Sequence, residues 1–364
     1  MIKLLTIVPR LPPSIDGVGD YALYLAHVLL KQWNIQTEFI VCDPDWETQP
    51  DVQGFRVSHL KDRSTSAFLK LIQTHHAHST QLFLHYVGYG YARWGAPSWF
   101  IQALEAWRSQ PGHQLTTMFH ELYNPPGHKP WKHMFWNSHV QQKLTKQLAQ
   151  FSDYAITSGQ QYAEKLDNLR SLHSEPTPFL PVFSTVGEPT HFPRWSDRDP
   201  ILVVFGRADI KRRAYAETSA QLQSICEQFQ IQEVVDIGPS TGLKLTNIGT
   251  VPLREAGKLS SEAIGQLFSR SRVGFLNYNP HHLAKSTIFA AYCAHGLLPT
   301  NTIRSRISCD GIHAGEQYWT LGETQNTPEH IIHQAHQWYS THSLTAQADF
   351  FAKLLLPRSA FVNS

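Results

Sequence analysis

The chain has 364 residues, of which 41% are hydrophobic and 16% charged, and its formal net charge is +2. This composition is that of an ordinary globular protein, and the length exceeds the roughly 250 to 300 residues at which single cores stop growing, so we expect two domains. The small net charge argues against a nucleic-acid binder that depends on phosphate contacts. Four widely spaced cysteines, without disulfide or zinc spacing, predict reduced thiols and a cytoplasmic protein without a bound metal: Cys42, Cys226, Cys293 and Cys309.

Apolar runs of strand length alternate with longer amphipathic stretches in both halves of the chain. The first series is LLTIVP, TEFIVC, FRVSHL, QLFLHYV, LTTMFH, DYAITS and FLPVFS. The second is ILVVFGR, EVVDIG, LTNIGTV, RVGFLNY and GLLPTN, with helix-like segments such as 214–230 and 260–270 between the runs. The alternation predicts an α/β protein with two Rossmann-like domains built on parallel sheets. The first run is too short for a secretory signal or a membrane span, and we interpret it as a buried strand.

A segment rich in proline and turn residues, VGEPTHFPRWSDRDP, separates the two series and has the composition of a linker. We therefore predict an N-terminal domain over residues 1–186 and a C-terminal domain over residues 187–340. The remaining residues, 341–364, are expected to form a helical segment that packs back on the N-terminal domain.

Polar residues follow two of the predicted strands in the N-terminal half, where open parallel sheets bind ligands. Gly17 and Gly19 flank a turn after the first strand, and Asp20 begins a helix. Glycines there let a ligand approach the backbone and the helix N–H groups, although plain turns use glycine as well. The fifth strand ends at His120 and Glu121, which are candidates for hydrogen-bonding a polar substrate.

Two segments of the C-terminal half predict anion sites. FGRADIKRR places Arg207, Lys211 and Arg212 beside a helix start, where cations oppose the helix dipole and so favour a bound anion. LAKSTIFAAYCAHGLLPTN predicts a helix that begins after Lys285–Ser286, ends at His295–Gly296 and precedes a strand. Two such sites in one domain predict a diphosphate, whereas solvated basic residues and a plain helix cap are the alternatives.

These residues resemble the glycosyltransferases of the GT-B fold, specifically the family 4-like group, over nearly the whole chain. GVGDY at 17–21 is similar to the glycine-rich first loop of that family, FGRADIKRR to its donor-diphosphate motif, and AAYCAHGLLPTN to the helix after its donor loop. The resemblance implies a nucleotide-sugar donor on the C-terminal domain and an acceptor on the N-terminal one. It also implies transfer in a cleft between two parallel-sheet domains, with retention of configuration and without a metal or organic cofactor.

One departure from the family concerns two glutamates that it usually carries eight positions apart. Alignment on Gly296 places Leu283 and Ala291 at those positions, so Lys285 and Ser286 become the polar residues of the donor loop. The resemblance also places His120 near the donor sugar. We therefore predict catalytic roles for His120, Arg207 and Lys285, and donor contacts from Gly17, Gly19, Lys211, Arg212, Asn279, Ser286 and Thr287. Asp20 or Glu121 is the candidate base if the enzyme inverts configuration.

The stretch 122–152 contains four lysines and three aromatic residues and no acidic residue. Such a surface suits peripheral contact with an anionic membrane at its inner face, and hence a lipid-linked acceptor, while a glycan or small-molecule acceptor remains open. The alternative is a core helix with lysines on its wet face. The residues concerned are Lys129, Lys132, Lys143, Lys146, Trp131, Phe135 and Trp136.

Other functions stay open because the two glutamates are missing. A non-catalytic nucleotide-sugar-binding protein or partner subunit would bind nucleotide without turnover, and an enzyme for a pseudo-sugar would need an unusual donor. An NAD-dependent oxidoreductase fits poorly, since neither domain has GxGxxG after its first strand. We interpret the segment HHAH at 75–78 as part of a surface helix and not as a metal site.

Overall fold

The computed structural model describes residues 2–14, 16–125, 133–170, 175–322 and 326–356, which fall into two compact units. Unit 1 comprises the described residues up to Leu180 together with those from Gln347 onward, and unit 2 comprises Pro181–Ala346. Unit 1 is therefore made of two separate pieces of the chain. The sequence-based domain limits at 187 and 341 stay predictions.

Unit 1 contains a seven-stranded sheet with helices between its strands. The strands are β1 (Ile2–Val8), β2 (Ile35–Val41), β3 (Asp51–Val52), β4 (Phe55–His59), β5 (Gln81–Tyr86), β6 (Gln114–Phe119) and β7 (Tyr154–Thr157). The helices are α1 (Gly17–Trp33), α2 (Thr65–His75), α3 (Gly88–Tyr91), α4 (Ser98–Arg108), α5 (His133–Phe151) and α6 (Gln160–Leu169). The strand order is β3-β4-β2-β1-β5-β6-β7, and all pairs are parallel except β3 with β4.

Unit 2 contains a six-stranded sheet. Its strands are β8 (Asp199–Phe205), β9 (Glu233–Ile237), β10 (Asn247–Ile248), β11 (Val251–Gly257), β12 (Ser271–Leu276) and β13 (Leu298–Asn301). The helices are α7 (Ala208–Glu217), α8 (Ser219–Gln228), α9 (Ser261–Arg270), α10 (Thr287–His295) and α11 (Pro328–Ser340), with 3₁₀ turns at Trp195–Asp197 and Pro280–Lys285. A further helix, α12 (Leu344–Leu355), begins in unit 2 and continues into unit 1. The order is β10-β11-β9-β8-β12-β13, and β10 with β11 is the antiparallel pair.

The central strands are buried on both faces, which explains why their sequences are apolar runs without alternation. Leu5 and Ile7 of β1 belong to one apolar cluster of unit 1, and Val8 belongs to another cluster with residues of α1 and β2. In unit 2, Leu202 and Val204 pack into a single cluster with α7, α8 and α11. The α/β prediction with mostly parallel sheets is confirmed.

The last helix, α12, crosses the division between the units and packs in unit 1. The hydroxyl of Tyr21 donates to the side-chain oxygen of Gln347. The indole of Trp33 donates to Asp349 at 3.0 Å, and the amide of Gln81 donates to the Leu355 carbonyl at 3.0 Å. The helix thereby fastens α1 and β5 from one side.

Three sequence-based elements were wrong. FLPVFS forms no strand but a single bridge between Phe179 and Thr157, because the adjacent Pro181 lacks an N–H for a ladder. LTNIGTV is not one strand but β10 and the start of β11, joined by a turn at Gly249 with φ +57°. The helix predicted over 214–230 is two helices that break at Thr218, whose hydroxyl donates back to the Ala214 carbonyl at 2.7 Å.

Candidate functional site

The loop between β1 and α1 is built around two glycines with different surroundings. A Cβ atom on Gly19 would lie 2.1 Å from the Arg10 carbonyl oxygen, so the chain can pass there only because residue 19 has no side chain. Gly17 has open space at the same position. Asp16 caps α1 by accepting from the N–H groups of Val18 and Gly19 at 2.8 and 3.1 Å. Local packing therefore explains Gly19, whereas a donor contact of either glycine stays a prediction.

Asp20 lies in the first turn of α1 and is partly buried. Its desolvation, and then the negative charge of Asp16, raise the pKa of the Asp20 carboxyl to about 6. A carboxyl with that pKa exchanges its proton near the operating pH of an enzyme, as a general base must. The predicted alternative base thus has suitable acidity.

We expect Asp20→Asn to stabilise the protein at pH 7.5 but not at pH 4. The folded-state pKa of Asp20 lies above its ordinary value of 3.8, so its ionisation opposes folding increasingly as the pH rises from about 4 to about 6. Asparagine removes that penalty. Melting temperatures of wild type and variant should coincide near pH 4 and separate above pH 6; an equal difference at both pH values would contradict the assignment.

His120 follows β6 directly and is 9% exposed. Its Nε2 lies 3.0 Å from Nδ1 of His85, the fifth residue of β5. The ring of Tyr21 stands edge-on to His120 at 5.0 Å between centroids. Glu121 is exposed. Burial of the Tyr162 hydroxyl, and then the negative charge of Glu121, raise the pKa of that hydroxyl. The structure therefore brings His120 against α1 at Tyr21, the residue that follows Asp20 in the chain.

His85 and Tyr21 were missed by sequence reasoning. Both are fully or almost fully buried, His85 in β5 and Tyr21 in α1. The available signal was the histidine near the carboxyl end of QLFLHYV, the position at which open sheets carry functional residues.

In unit 2, two glycines bring the ends of β8 and β9 together. A Cβ atom on Gly238 (φ +113°) would lie 2.3 Å from the Gly206 carbonyl oxygen. A Cβ atom on Gly206 (φ +148°) would lie 3.2 Å from the end of the Ile288 side chain, in the first turn of α10. The turn that leads into α7 therefore touches the start of α10, and the two helix N-termini lie at the same sheet edge.

Arg207 occupies the N-cap position of α7 and its side chain is 79% exposed. Its Nε and Nη2 donate to the two carboxylate oxygens of Asp209 at 3.1 and 3.0 Å. An exposed pair of this kind is worth little, so a more highly charged anion can replace the carboxylate. The position suits the predicted phosphate contact.

Lys211 is buried, with 1% of its side chain exposed, and its Nζ forms an ion pair with Asp236 of β9. The same carboxylate accepts from the Tyr215 hydroxyl at 2.5 Å. Arg212 donates from Nε and Nη2 to the Thr241 carbonyl at 2.9 and 2.7 Å. Both predicted donor contacts are thus engaged within the protein, and their contact with a donor stays a prediction.

The predicted helix after Lys285–Ser286 is confirmed as α10. Ser286 caps it by accepting from the Phe289 N–H at 3.2 Å, and Gly296 ends it in the left-handed conformation at φ +66°. Asn279 caps the preceding 3₁₀ turn, accepting from His281 N–H at 3.1 Å, and Lys285 ends that turn. Lys285 and Thr287 are partly buried beside the cap.

A small cavity of about 40 Å³ lies at this edge of unit 2, and its lining includes Lys211, Ser286 and Ile288. One predicted donor residue from each segment, Lys211 and Ser286, therefore lines the same small space. The neighbouring loop is fixed by Asn301, whose amide accepts from the Tyr278 N–H at 3.0 Å and donates to the Tyr278 carbonyl at 2.8 Å. Sequence reasoning missed Asn301, although it ends the last strand of the sheet.

The comparison with solved structures agrees with this architecture. No protein-family model matches the sequence, and no curated protein matches it either. Among solved structures, the pneumococcal O-GlcNAc transferase GtfA, in complex with UDP and GlcNAc, has a TM-score of 0.62 at 9% identity over 97% of this chain and 98% of its own. Trehalose-6-phosphate synthase OtsA has a TM-score of 0.61 at 12% identity, over 98% and 100%. WaaG, a glycosyltransferase of lipopolysaccharide biosynthesis, has 0.53 at 9% identity, over 96% and 94%.

The chain has the GT-B fold. Structural similarity at such low sequence identity establishes the architecture alone, so the activity has to be argued from the residues. The resemblance to the family 4-like group in particular stays a prediction. In GT-B terms, unit 2 corresponds to the predicted donor domain and unit 1 to the predicted acceptor domain.

The remaining sequence-based sites of this GT-B chain are only partly covered by the structure. Lys129, Trp131 and Lys132 lie outside the described residues, as does the side chain of Phe135. Trp136 is 65% exposed, and Lys143 and Lys146 are exposed on α5. No helix among the described residues is both long and apolar enough to cross a bilayer.

HHAH at 75–78 is not simply a surface helix, because His76 is buried and its Nδ1 lies 3.1 Å from Glu38. In the part of the chain that the structure describes, no group of three or more metal-binding side chains occurs.

Proposed function

We propose that the protein is a glycosyltransferase that moves a sugar from a nucleotide-sugar donor to a hydroxyl of an acceptor. The observation that carries this proposal is the approach of the turn before α7 to the first turn of α10, where a Cβ atom on Gly206 would lie 3.2 Å from the end of the Ile288 side chain. Two helix N-termini at one edge offer free N–H groups to two phosphates. Arg207 and Lys285 at the same edge add positive charge without a metal ion. The GT-B fold supports this use of the edge.

Electrostatic stabilisation is the main catalytic contribution in this proposal. The bond between the sugar carbon and the diphosphate oxygen breaks first, so negative charge grows on the leaving group while the sugar becomes oxocarbenium-like. When configuration is retained, the acceptor hydroxyl oxygen then bonds to the same sugar carbon, and its proton passes to an oxygen of the departing diphosphate. Arg207 and Lys285 stabilise that growing charge, and His120 contacts the sugar. No strong protein base is needed if configuration is retained.

Inversion of configuration is a second candidate, favoured by one observation, the raised pKa of Asp20. In an inverting enzyme the ionised Asp20 removes the proton of the acceptor hydroxyl as it attacks. The anomeric configuration of the product, measured by proton NMR, separates the two mechanisms. An inverted product together with loss of turnover in Asp20→Asn supports the base; a retained product removes it.

We expect Arg207→Ala to lower turnover about 100-fold or more, as the loss of one donor to a developing oxyanion does. In wild type, the matching nucleoside diphosphate or nucleotide sugar should raise the melting temperature by a few degrees, since it binds the folded state. Arg207→Ala and Lys285→Ala should lose that shift. Arg213→Ala, which removes an exposed cation from the same helix, should keep it.

Each other outcome of this experiment has a defined meaning. An Arg207→Ala enzyme with normal turnover would defeat the assignment of Arg207. Nucleotide binding without turnover towards any acceptor would favour the non-catalytic binding protein. No shift with uridine, adenosine, guanosine, cytidine or thymidine diphosphates or their sugars would remove the donor site altogether.

The proposed acceptor is a glycan, a small molecule or a lipid-linked sugar, and the proposed location of the protein is the cytoplasm. For a lipid-linked acceptor, the protein would bind at the inner face of the membrane. Exposed Trp136, Lys143 and Lys146 on α5 support the lipid-linked class, because cations and an aromatic ring together favour an anionic bilayer. We expect the protein to float with vesicles that contain anionic lipid and not with neutral ones. Equal flotation with anionic and with neutral vesicles would exclude the lipid-linked class of acceptor.

A further inference from the structure

The two buried histidines of unit 1 form a direct ring-to-ring contact. Nδ1 of His85 and Nε2 of His120 lie 3.0 Å apart, a distance at which one nitrogen carries the proton and the other accepts it. The contact therefore has two forms. Either His85 donates through Nδ1–H, or His120 donates through Nε2–H. The two forms leave His120 with opposite hydrogen-bonding properties.

The other ring nitrogen of His85 decides between the two forms. Nε2 of His85 is inaccessible to solvent and has no hydrogen-bond partner among the residues that the structure describes. If His120 were the donor, a neutral His85 would have to carry its own proton on this Nε2, which would bury an unpaired N–H. Orphaned buried N–H groups are rarer than unpaired acceptors. Donation from His85 leaves only a lone pair at that position.

A doubly protonated His85 is excluded by its surroundings. The ring is fully buried, and this desolvation, followed by the proximity of His120, holds the pKa of His85 well below its ordinary value. The second proton would also lie on Nε2, the buried nitrogen of His85 that has no partner among the described residues. His85 is therefore neutral across the range in which the protein would work.

Packing keeps both rings in this orientation. Phe83 lies against His85 with 4.4 Å between ring centroids. The ring of Tyr21 stands edge-on to His85 at 5.6 Å and to His120 at 5.0 Å. Tyr21 is itself anchored through its hydroxyl to Gln347 of α12. A ring flip that would exchange the two nitrogens has to displace these neighbours.

We propose that His85 is a positioning residue that donates through Nδ1–H to Nε2 of His120 and so holds His120 as a neutral imidazole protonated on Nδ1. His120 then acts as a hydrogen-bond donor to a sugar oxygen and not as a proton acceptor. This assignment deepens the proposed glycosyltransferase function and rests on it. The tautomer itself can be measured without any activity.

The test is the nitrogen NMR spectrum of the full-length protein labelled with ¹⁵N histidine. His120→Gln identifies the His120 signals by their loss. The expected wild-type spectrum at neutral pH has the proton of His120 on Nδ1. A proton on Nε2 of His120, or a mixture of the two tautomers, would overturn the inference.

Variants of His85 connect the tautomer with catalysis. His85→Phe removes the donor, so the proton of His120 should no longer be confined to Nδ1 and kcat should fall about 10- to 100-fold at similar KM, as for a displaced catalytic group. His85→Asn can place an amide N–H near the position of Nδ1 and should restore both the tautomer and part of kcat. If His85→Phe does not fold, His85→Gln replaces it.

Tyr21→Phe is the matched control, because it breaks a buried hydrogen bond in the same cluster and leaves both histidines and the aromatic ring in place. The tautomer of His120 should be the same in Tyr21→Phe as in wild type. A change in Tyr21→Phe equal to that in His85→Phe would assign the effect to packing and refute the role of His85. A correct tautomer in a protein that binds no nucleotide would reject the proposed function and leave the His85 contact standing.

Discussion

Lys211→Met is expected to lower the free energy of unfolding by about 3 to 5 kcal/mol, the usual cost of removing one partner of a buried ion pair. The variant leaves the Asp236 carboxylate buried with the Tyr215 hydroxyl but without its cation. Methionine has nearly the length of the lysine stem, so the loss reflects charge more than volume. Urea denaturation followed by circular dichroism measures the change.

Two further variants make this result specific. Arg213→Met, on the exposed side of the same helix, should leave the urea midpoint unchanged. Lys211→Met combined with Asp236→Asn should recover part of the loss, because the uncompensated charge is gone. A stable Lys211→Met protein that has lost nucleotide binding would return Lys211 to the donor phosphates. Retained nucleotide binding in a destabilised protein would show that Lys211 stabilises the fold and does not bind the donor.

Arg198→Met is expected to cost about 4 kcal/mol of unfolding free energy, since a buried cation with several hydrogen bonds is lost at once. The Arg198 side chain is 2% exposed and donates to four carbonyl oxygens. Burial lowers its pKa to about 10, so the guanidinium is still charged at neutral pH. The acceptors are Pro193 at 3.2 Å, Phe268 at 3.1 Å, Ser271 at 2.8 Å and His295 at 2.7 Å.

Three of these carbonyls, those of Phe268, Ser271 and His295, belong to the C-terminal ends of α9 and α10, where a positive charge is favourable. Arg198→Lys should recover less than half of the loss, because an ammonium cannot reach acceptors on both sides of a planar fork. Arg194→Met, an exposed arginine four residues earlier, is the control and should keep the wild-type melting temperature. A melting temperature of Arg198→Met equal to that of the control would show that the carbonyls find other partners.

The sequence predicts the elements that have strong local signals. α10 was located because Ser286 and Gly296 are a typical cap and a typical terminator. The central strands were located because parallel strands buried on both faces are continuous apolar runs. The edge strand β10 was not predicted, because two residues are too few to show a hydrophobic pattern. Proline-rich FLPVFS failed because hydropathy does not register a missing N–H.

Long-range pairs of side chains could not be predicted in the same way. Lys211 and Asp236 are 25 positions apart, and His85 and His120 are 35 apart, on separate elements. Nothing in local periodicity relates such residues; only the strand order brings them together. Sequence reasoning therefore proposed Lys211 as a donor contact but could not foresee that its ammonium group forms an ion pair with the Asp236 carboxylate.

The two-piece construction of unit 1 affects how the protein is made by the ribosome. Tyr21 and Trp33 in α1 need Gln347 and Asp349 of α12, which are synthesised after all of unit 2. Domains usually fold in the order of synthesis. Here unit 2 can be complete while unit 1 still waits for its last helix. Until α12 has been synthesised, the side of α1 that carries Tyr21 lacks its native partner, and chaperones can bind the N-terminal unit at this stage.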